Sequence, residues 1–201
     1  MTAQAPERII IDGRPRPLYA APLYRLLASR RLDLSKPGCR TTGNYRGYTG
    51  TWEIRGNALF LIHINWEGWD GTSCEVVMPS NVRARLFRAV PCEGFPIKAH
   101  WFNGRLRIAI GRRMIYSHQG WSHWFERERV ISVKGGIVVR DREVDTRAMV
   151  EWKLRVNPGF RAGLFPDDND TPIPLLDWSF TADDEDWTAD WWPPDYQRSG
   201  I

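Results

Sequence analysis

Five polar residues interrupt stretches of the chain that otherwise read as apolar strands. They are Arg46, Tyr48, Glu53, His118 and Glu126. If several of them point into the mouth of a barrel, they form a ligand pocket in which Arg46 holds an anion bidentately. Glu53 or His118 would then exchange protons with the ligand. The alternative is a buried Arg–Glu pair that fixes the register of the strands, and the sequence leaves both interpretations open.

The sequence lacks the spacings that are typical of metal sites and nucleophilic catalysis. His118 and His123 are five residues apart, but no H-x-x-x-H, H-x-H or C-x-x-C pattern joins them to another histidine or a cysteine. Ser117, Ser122 and Cys92 have no nearby base at a spacing typical of nucleophilic catalysis, and no glycine-rich loop that could bind phosphate precedes a helix. We therefore predict no catalytic residue, no metal site and no cofactor, and the sequence favours a protein that is not an enzyme.

Seven arginines between residues 83 and 113 predict a basic surface. They are Arg83, Arg85, Arg88, Arg105, Arg107, Arg112 and Arg113. Aromatic residues are interleaved with them, which is typical of surfaces that follow a nucleic-acid backbone and stack on its bases. Two other interpretations stay open: a solvated charged face, or a surface that holds the acidic C-terminal part of the same chain.

The charge of the chain is divided unevenly. The net charge is +4, but residues 166–201 carry −9 and residues 1–165 carry +13. The acidic part contains four of the eleven tryptophans, which are Trp178, Trp187, Trp191 and Trp192. Exposed indoles are costly unless they dock, since each has a large apolar area and an N–H that needs an acceptor. We expect these tryptophans to dock on the basic body in cis, or else on a basic partner.

The elements that must position these residues are mainly β-strands. Asp12-Gly13 between two apolar runs predicts a hairpin, and a short helix is expected after Pro22. From Tyr45 to about residue 145, apolar residues alternate with polar ones, and Asn103-Gly104 is the strongest hairpin signal in that stretch. The expected fold is mainly β (a β-rich α+β fold), with a single antiparallel meander closing into a barrel-like or sandwich sheet and one or two short helices.

The domain organisation follows from the change in composition after residue 150. Residues 1–6 are expected to be a disordered start and residues 7–150 to form one β-rich domain. Residues 151–201 are an irregular extension, rich in Pro, Asp and Trp, that is expected to pack on this domain. A chain of 201 residues is long enough to bury one sizeable core without a disulfide or a metal.

Composition excludes several classes of protein. With 42% hydrophobic and 26% charged residues, the chain is neither collagen-like nor wholly disordered. Its longest apolar stretches are about seven residues, whereas a membrane-spanning helix needs about twenty. The N-terminus lacks the pattern of a secretory signal, and Cys39, Cys74 and Cys92 form no C-x-x-C pair. We therefore expect a cytoplasmic protein with no membrane association.

Three motifs give residues 7–145 a resemblance to a known family. They are RGYTGTWEI at residues 46–54, WFNGRLRI at residues 101–108 and YSHQG at residues 116–120. They resemble the signature RGY-x-x-TWEI … WF-x-G-x-LRI … Y-x-H-x-G of a widespread family of uncharacterised bacterial proteins. Tyr45 and His100 depart from that pattern. The resemblance implies a bacterial origin and a β-rich fold, and it implies no activity.

Together these features predict a binding protein. The chain has many Trp, Tyr and Arg residues, which contribute most to interface energy, and no catalytic constellation. We expect it to act by occupying the surface of a partner protein, as an inhibitor or immunity protein does. The first alternative is a nucleic-acid-associated protein whose basic face is gated by the acidic tail. The second is a small-ligand-binding barrel or an enzyme that uses Arg46, Glu53 and His118.

Overall fold

The computed structural model describes residues 3–35, 39–67, 73–76, 80–87, 94–116, 120–121 and 123–156. Within these ranges the chain forms nine strands and three helices. The strands are β1 (Glu7–Ile11), β2 (Arg14–Leu18), β3 (Thr49–Arg55), β4 (Ala58–Glu67), β5 (Ser73–Glu75), β6 (Ile97–Lys98), β7 (Gly104–Ile115), β8 (Trp124–Lys134) and β9 (Ile137–Asp145). The helices are α1 (Tyr24–Arg30), α2 (Ser80–Leu86) and α3 (Arg147–Val156).

Seven of the strands close into a barrel. The order around the ring is β1-β2-β7-β8-β9-β4-β3, and β3 pairs again with β1. Every pair in the ring is antiparallel except β1 and β3, which are parallel, with Arg8 opposite Thr51. Strands β5 and β6 pair with β4 outside the ring. The mainly β fold predicted from the alternation of apolar residues is therefore confirmed.

Two-residue turns set the register of the hairpins. Asp12 and Gly13 have φ values of 51° and 72°, and Gly135 and Gly136 have values of 55° and 75°. Positive φ at both central residues gives a turn whose twist matches that of the flanking strands. The predicted Asp12-Gly13 hairpin is confirmed, because β1 and β2 pair along their whole length.

The predicted hairpin at Asn103-Gly104 is wrong. Strand β6 before it pairs with β4, and β7 after it pairs with β8, so the two flanking segments do not pair with each other. The side-chain oxygen of Asn103 accepts a hydrogen bond of 2.8 Å from the N–H of Gly135. Asn103 thus stabilises the turn between β8 and β9, and this tertiary contact overrides the local turn signal.

The main core fills the barrel and continues under α1. Trp52, Leu61 and Leu106 are fully buried inside it, and α1 adds Leu26 and Leu27 to the same cluster. A second, smaller cluster joins Ile115 and Trp124 to Met149 and Val150 of α3. The sequence did not predict α3, which spans residue 150, where the β-rich domain was expected to end.

The N-terminal residues 3–6, expected to be disordered, lie between two other segments. The N–H of Gln4 donates to the carbonyl of Gly120 at 2.8 Å, and the N–H of Ala5 donates to that of Gly43 at 2.7 Å. Residues 157–201, and with them all four tail tryptophans, lie outside the described residues. In the described part of the chain, no helix is both long and apolar enough to cross a membrane.

Candidate functional site

An open pocket of about 750 Å³ lies between α1 and the loop of residues 40–48. Its volume is within the range of ligand-binding clefts. One wall is mostly apolar and comes from α1 and the residues that follow it, while the other comes from the loop. The residues that line the pocket are Tyr24, Leu27, Ala28, Leu32, Asp33, Leu34, Arg40, Thr41, Thr42, Tyr45, Arg46 and Tyr48. We call it the α1 pocket.

Two exposed tyrosines are part of this lining. Tyr24 is 45% exposed and Tyr45 is 48% exposed, although both have large aromatic rings. Their rings pack edge to face, with 6.0 Å between centroids. A tyrosine ring combines an apolar body with a polar hydroxyl, so a pair of such rings on an open pocket is typical of a contact surface.

Hydrogen bonds from two tryptophan side chains and one glutamine side chain hold the walls of the α1 pocket in place. The indole N–H of Trp101 donates to the carbonyl of Pro22 at 3.0 Å, just before α1. The indole N–H of Trp66 donates to the carbonyl of Leu34 at 2.6 Å. On the loop side, the amide of Gln4 donates to the carbonyl of Thr42 at 2.7 Å. The pocket is therefore preformed.

Beneath the loop lies a buried ion pair between Glu7 and Arg46. Both side chains are fully buried, and the Nε atom of Arg46 is 3.8 Å from Oε1 of Glu7. The Nη2 atom of Arg46 donates to the carbonyl of Ala5 at 2.8 Å. The other carboxylate oxygen of Glu7 accepts a hydrogen bond of 2.5 Å from the indole N–H of Trp52. The pair joins the start of β1 to the loop, and the hydrogen bond from Trp52 connects it to the middle of β3.

Several buried side-chain atoms of Glu7, Arg46 and the neighbouring residues 44–49 have no hydrogen-bond partner within the described part of the chain. They are Oε1 of Glu7, Nε and Nη1 of Arg46, the hydroxyls of Tyr48 and Thr49, and both side-chain polar atoms of Asn44. A buried polar group without a partner costs about 1–3 kcal/mol. Such groups are few in native proteins, and two of the residues that carry them here, Arg46 and Tyr48, also line the α1 pocket.

The buried carboxyl group of Glu7 has a pKa near neutral pH. Burial disfavours the carboxylate and raises the pKa of Glu7 to about 7, although the charge of Arg46 and the hydrogen bond from Trp52 both lower it. Burial also raises the pKa of Tyr48 well above its ordinary value, and the Glu7 carboxylate raises it further. The net charge beneath the α1 pocket therefore changes close to pH 7.

Aromatic rings pack on Arg46. Its Cζ atom is 4.8 Å from the ring centroid of Trp121 and 5.9 Å from that of Tyr45, distances at which a guanidinium is attracted to a ring. The indole N–H of Trp121 donates to the carbonyl of Ala5 at 3.3 Å, the carbonyl that also accepts from Arg46. Because Tyr45 touches both the pocket and Arg46, it connects the exposed site to the buried pair.

The glycines of the RGYTG stretch allow this close packing. A Cβ atom on Gly50 would lie 2.7 Å from Oε2 of Glu7 and 2.8 Å from Nε1 of Trp52. Gly47 has a φ of 69°, and a Cβ atom there would lie 2.6 Å from the Cβ atom of Ser35. A larger residue at either position would push apart the buried pair or the wall of the pocket.

A second buried pair, between Arg107 and Glu128, lies on the other side of Trp121. The guanidinium of Arg107 donates to both carboxylate oxygens of Glu128, and to the carbonyls of Trp121 and His123. Its side chain is 7% exposed. Trp121 thus contacts both buried arginines, Arg46 through its ring and Arg107 through its carbonyl.

The structure brings together two of the five residues predicted for a ligand pocket. Arg46 and Tyr48 both line the α1 pocket.

The other three predicted residues are not part of the described pocket. Glu53 is on β3 next to buried Trp52 and pairs instead with Arg55, at 2.5 Å. Glu126 on β8 accepts a hydrogen bond from the N–H of Arg112, also away from the pocket. His118 lies outside the described residues.

The acid that does meet Arg46, Glu7, was not singled out from the sequence. The signal was present: Glu7 is two residues before the buried Ile9, so strand alternation puts both side chains on the inner face. A carboxylate at an inward position needs a cationic partner. The interpretation of a buried Arg–Glu pair thus describes this cluster, with Glu7 as the acid.

The arginines predicted to form one basic surface lie in separate parts of the described structure. Arg107 belongs to a strand face that Trp121 and His123 cover, so it is buried and ion-paired rather than exposed. Arg105 and Arg112 are seven residues apart on β7, which is roughly 23 Å along a strand. Arg113 is exposed near Arg112, Arg83 and Arg85 are on α2, and Arg88 lies outside the described residues.

Comparison with family models, with curated proteins and with solved structures finds no match. The resemblance to a bacterial family therefore stays a prediction. Among the side chains that the structure describes, no group of three or more His, Cys, Asp or Glu residues could hold a metal ion. The α1 pocket and the buried pair beneath it are the site on which a functional proposal can be built.

Proposed function

We propose that this chain is a binding protein that engages a partner protein through the α1 pocket. The observation that carries this proposal is the exposed Tyr24–Tyr45 pair on a preformed pocket. Rigid aromatic side chains beside a pocket are typical of the residues that dominate interface energies. A preformed site also loses little conformational entropy on binding.

The chemistry of the surroundings indicates what kind of surface the partner has. Residues 20–48 contain five Arg and one Lys but a single acid, Asp33, which gives a net charge of +5. Arg40 pairs with Asp33 at 2.6 Å and Arg46 is buried against Glu7, so the exposed Arg25, Arg30 and Arg31 supply the positive charge on this side. Leu27, Leu32 and Leu34 supply apolar lining. We therefore propose an acidic partner surface from which an apolar or aromatic side chain projects into the pocket.

Occupation of a partner's surface is the inhibitor-like or immunity-like role expected from the sequence, and the α1 pocket would be its anchor point. Cys39 and Cys74 are free thiols, the first buried and the second exposed. Free thiols persist in reducing compartments, which supports an encounter in the cytoplasm.

Affinity capture from nuclease-treated host lysate tests this proposal with three forms of the full chain: wild type, Tyr24→Ala/Tyr45→Ala, and Tyr116→Ala as the matched control. Tyr116 is 41% exposed but lies outside the pocket lining, stacked on His123. We expect one stoichiometric protein with wild type and the control, and at least roughly tenfold less with the double variant, since a lost hot spot costs 2 kcal/mol or more.

Two results would contradict the proposal. One is equal capture of the same protein by all three forms. The other is recovery of nucleic acid from untreated lysate, together with loss of every protein after nuclease treatment. In that case Arg112→Ala/Arg113→Ala should weaken the nucleic-acid binding, and the basic end of β7 would replace the α1 pocket as the site.

A further inference from the structure

We propose that, in the free chain, residues 183–196 of the same molecule occupy the α1 pocket and compete there with the partner. This inference rests on the proposed function, because it names the occupant that the partner displaces. The segment reads DDEDWTADWWPPDY and contains Trp187, Trp191 and Trp192.

Charge complementarity favours this occupant. Residues 183–196 contain six acids and no base, whereas residues 20–48, which supply the pocket, carry a net charge of +5. Arg30 and Arg31 are exposed at the end of α1, and Arg40, which pairs with Asp33 at 2.6 Å, is exposed in the pocket lining. A segment that combines several carboxylates with indoles therefore matches a pocket that combines apolar walls and aromatic rings with arginines.

The chain is long enough to make this contact. The described residues end at Val156, thirty-one residues before Trp187. Such a length spans up to about 100 Å when extended, while a domain of 150 residues has a radius of gyration of about 15 Å. The segment can therefore reach any side of the barrel.

Tethering makes even weak docking effective. A flexible linker presents its end at an effective concentration on the order of 1 mM. An intrinsic dissociation constant of about 100 μM would then leave roughly nine pockets in ten occupied, and would weaken the binding of a competing partner about tenfold. The exposed Tyr24 and Tyr45 would be covered in this state, with an indole packed against them.

A photo-crosslinking experiment on the full chain tests the inference. Benzoylphenylalanine replaces Trp192, an equal mixture of ¹⁴N- and ¹⁵N-labelled chains is irradiated, and the crosslinked peptides are mapped by mass spectrometry. We expect crosslinks within one chain to residues 24–34 or 40–48, and fewer of them after Arg30→Glu/Arg31→Glu. The same replacement at Trp178, which lies before residues 183–196, is the control and should not give this pattern.

Crosslinks only between chains, or only to surfaces outside residues 24–34 and 40–48, would overturn the inference. A second readout separates it from the proposed function. Trp191→Ala/Trp192→Ala should increase partner capture by up to about tenfold if the segment competes. If capture by this variant is unchanged but still depends on Tyr24 and Tyr45, the segment does not compete with the partner. The proposed binding site would then be retained without the further inference.

Discussion

Two buried Arg–Glu pairs flank Trp121, and they differ in how completely their polar atoms are satisfied. The Arg107 guanidinium binds both oxygens of Glu128 and two main-chain carbonyls. In the Glu7–Arg46 pair the Nε and Oε1 atoms are 3.8 Å apart, and two nitrogens of Arg46 have no hydrogen-bond partner among the described residues. The same residue types therefore serve as a rigid frame at one position and as an incompletely satisfied cluster at the other, beneath the α1 pocket.

The two pairs therefore differ in how much they contribute to the stability of the fold. A bidentate pair with further acceptors compensates the cost of burying two charges, whereas a loose pair does not. Natural sequences accept such local costs mainly where a functional site requires them. Of the two pairs, the less completely satisfied one is the pair that lies beside the α1 pocket, where the binding site is proposed.

The largest expected effect is on the satisfied pair. Arg107→Ala should lower the free energy of unfolding by about 3–5 kcal/mol, because Glu128 stays buried without its cation. Arg46→Ala should cost less, about 1–3 kcal/mol, because Glu7 with a pKa of about 7 can take up a proton instead. Urea unfolding at pH 7 measures both changes.

Arg129→Ala is the control for these two variants. Arg129 pairs with Asp141 at 2.7 Å, but both side chains are about one-third exposed, so the loss should be within about 1 kcal/mol. A larger loss for Arg46→Ala than for Arg107→Ala would reverse the ranking of the two pairs.

The second prediction concerns pH. The pKa of Glu7 is about 7 in the folded chain, above its ordinary value of 4.5, so the folded state binds more protons between these values. Its contribution is fully present below about pH 4.5 and is lost as the pH rises through 7, by about 3 kcal/mol. Glu7→Gln should remove this part of the pH dependence, which unfolding free energies between pH 4.5 and 8 will reveal.

Glu128→Gln is the comparison variant for the pH experiment. It should keep the Glu7-dependent fall in stability between pH 4.5 and 7. If wild type and Glu7→Gln lose stability in parallel over this range, the buried carboxyl is not the group that titrates, and the contrast between the two pairs fails.

The smallest predicted effect tests the packing around the Glu7–Arg46 pair. Gly50→Ala places a methyl group against Glu7 and Trp52 and should cost about 1–3 kcal/mol. Gly43→Ala is the matched control, because its added Cβ would have no neighbour closer than 3.7 Å. Thermal unfolding of both variants measures the difference, and equal melting temperatures would show that the contact between Glu7 and Trp52 is not tight.

Local sequence patterns predicted much of the barrel, but not the contacts between segments that are distant in the sequence. Asp12-Gly13 formed the predicted hairpin, whereas Asn103-Gly104, an equally strong signal, did not, because Asn103 binds the turn at Gly135. The alternation of strands could not show that β1 pairs with β3 in parallel, since that pair joins segments about forty residues apart.

The candidate site was predicted in part for a similar reason. Arg46 and Tyr48 were visible as polar residues in an apolar stretch, but their acid comes from β1, thirty-nine residues earlier in the chain. Arg107 was expected on a surface because it alternates with apolar residues on β7. A strand pattern shows which face a residue lies on, but it cannot show that Trp121 and His123 cover that face.

Photo-crosslinking from Tyr45 tests the proposed binding site most directly. With benzoylphenylalanine at position 45 of the full chain, irradiation in host lysate should yield one dominant crosslinked partner protein. The same replacement at Tyr116 should not yield that product, because Tyr116 lies outside the pocket lining. No crosslinked protein from position 45, or identical products from both positions, would contradict a binding site in the α1 pocket.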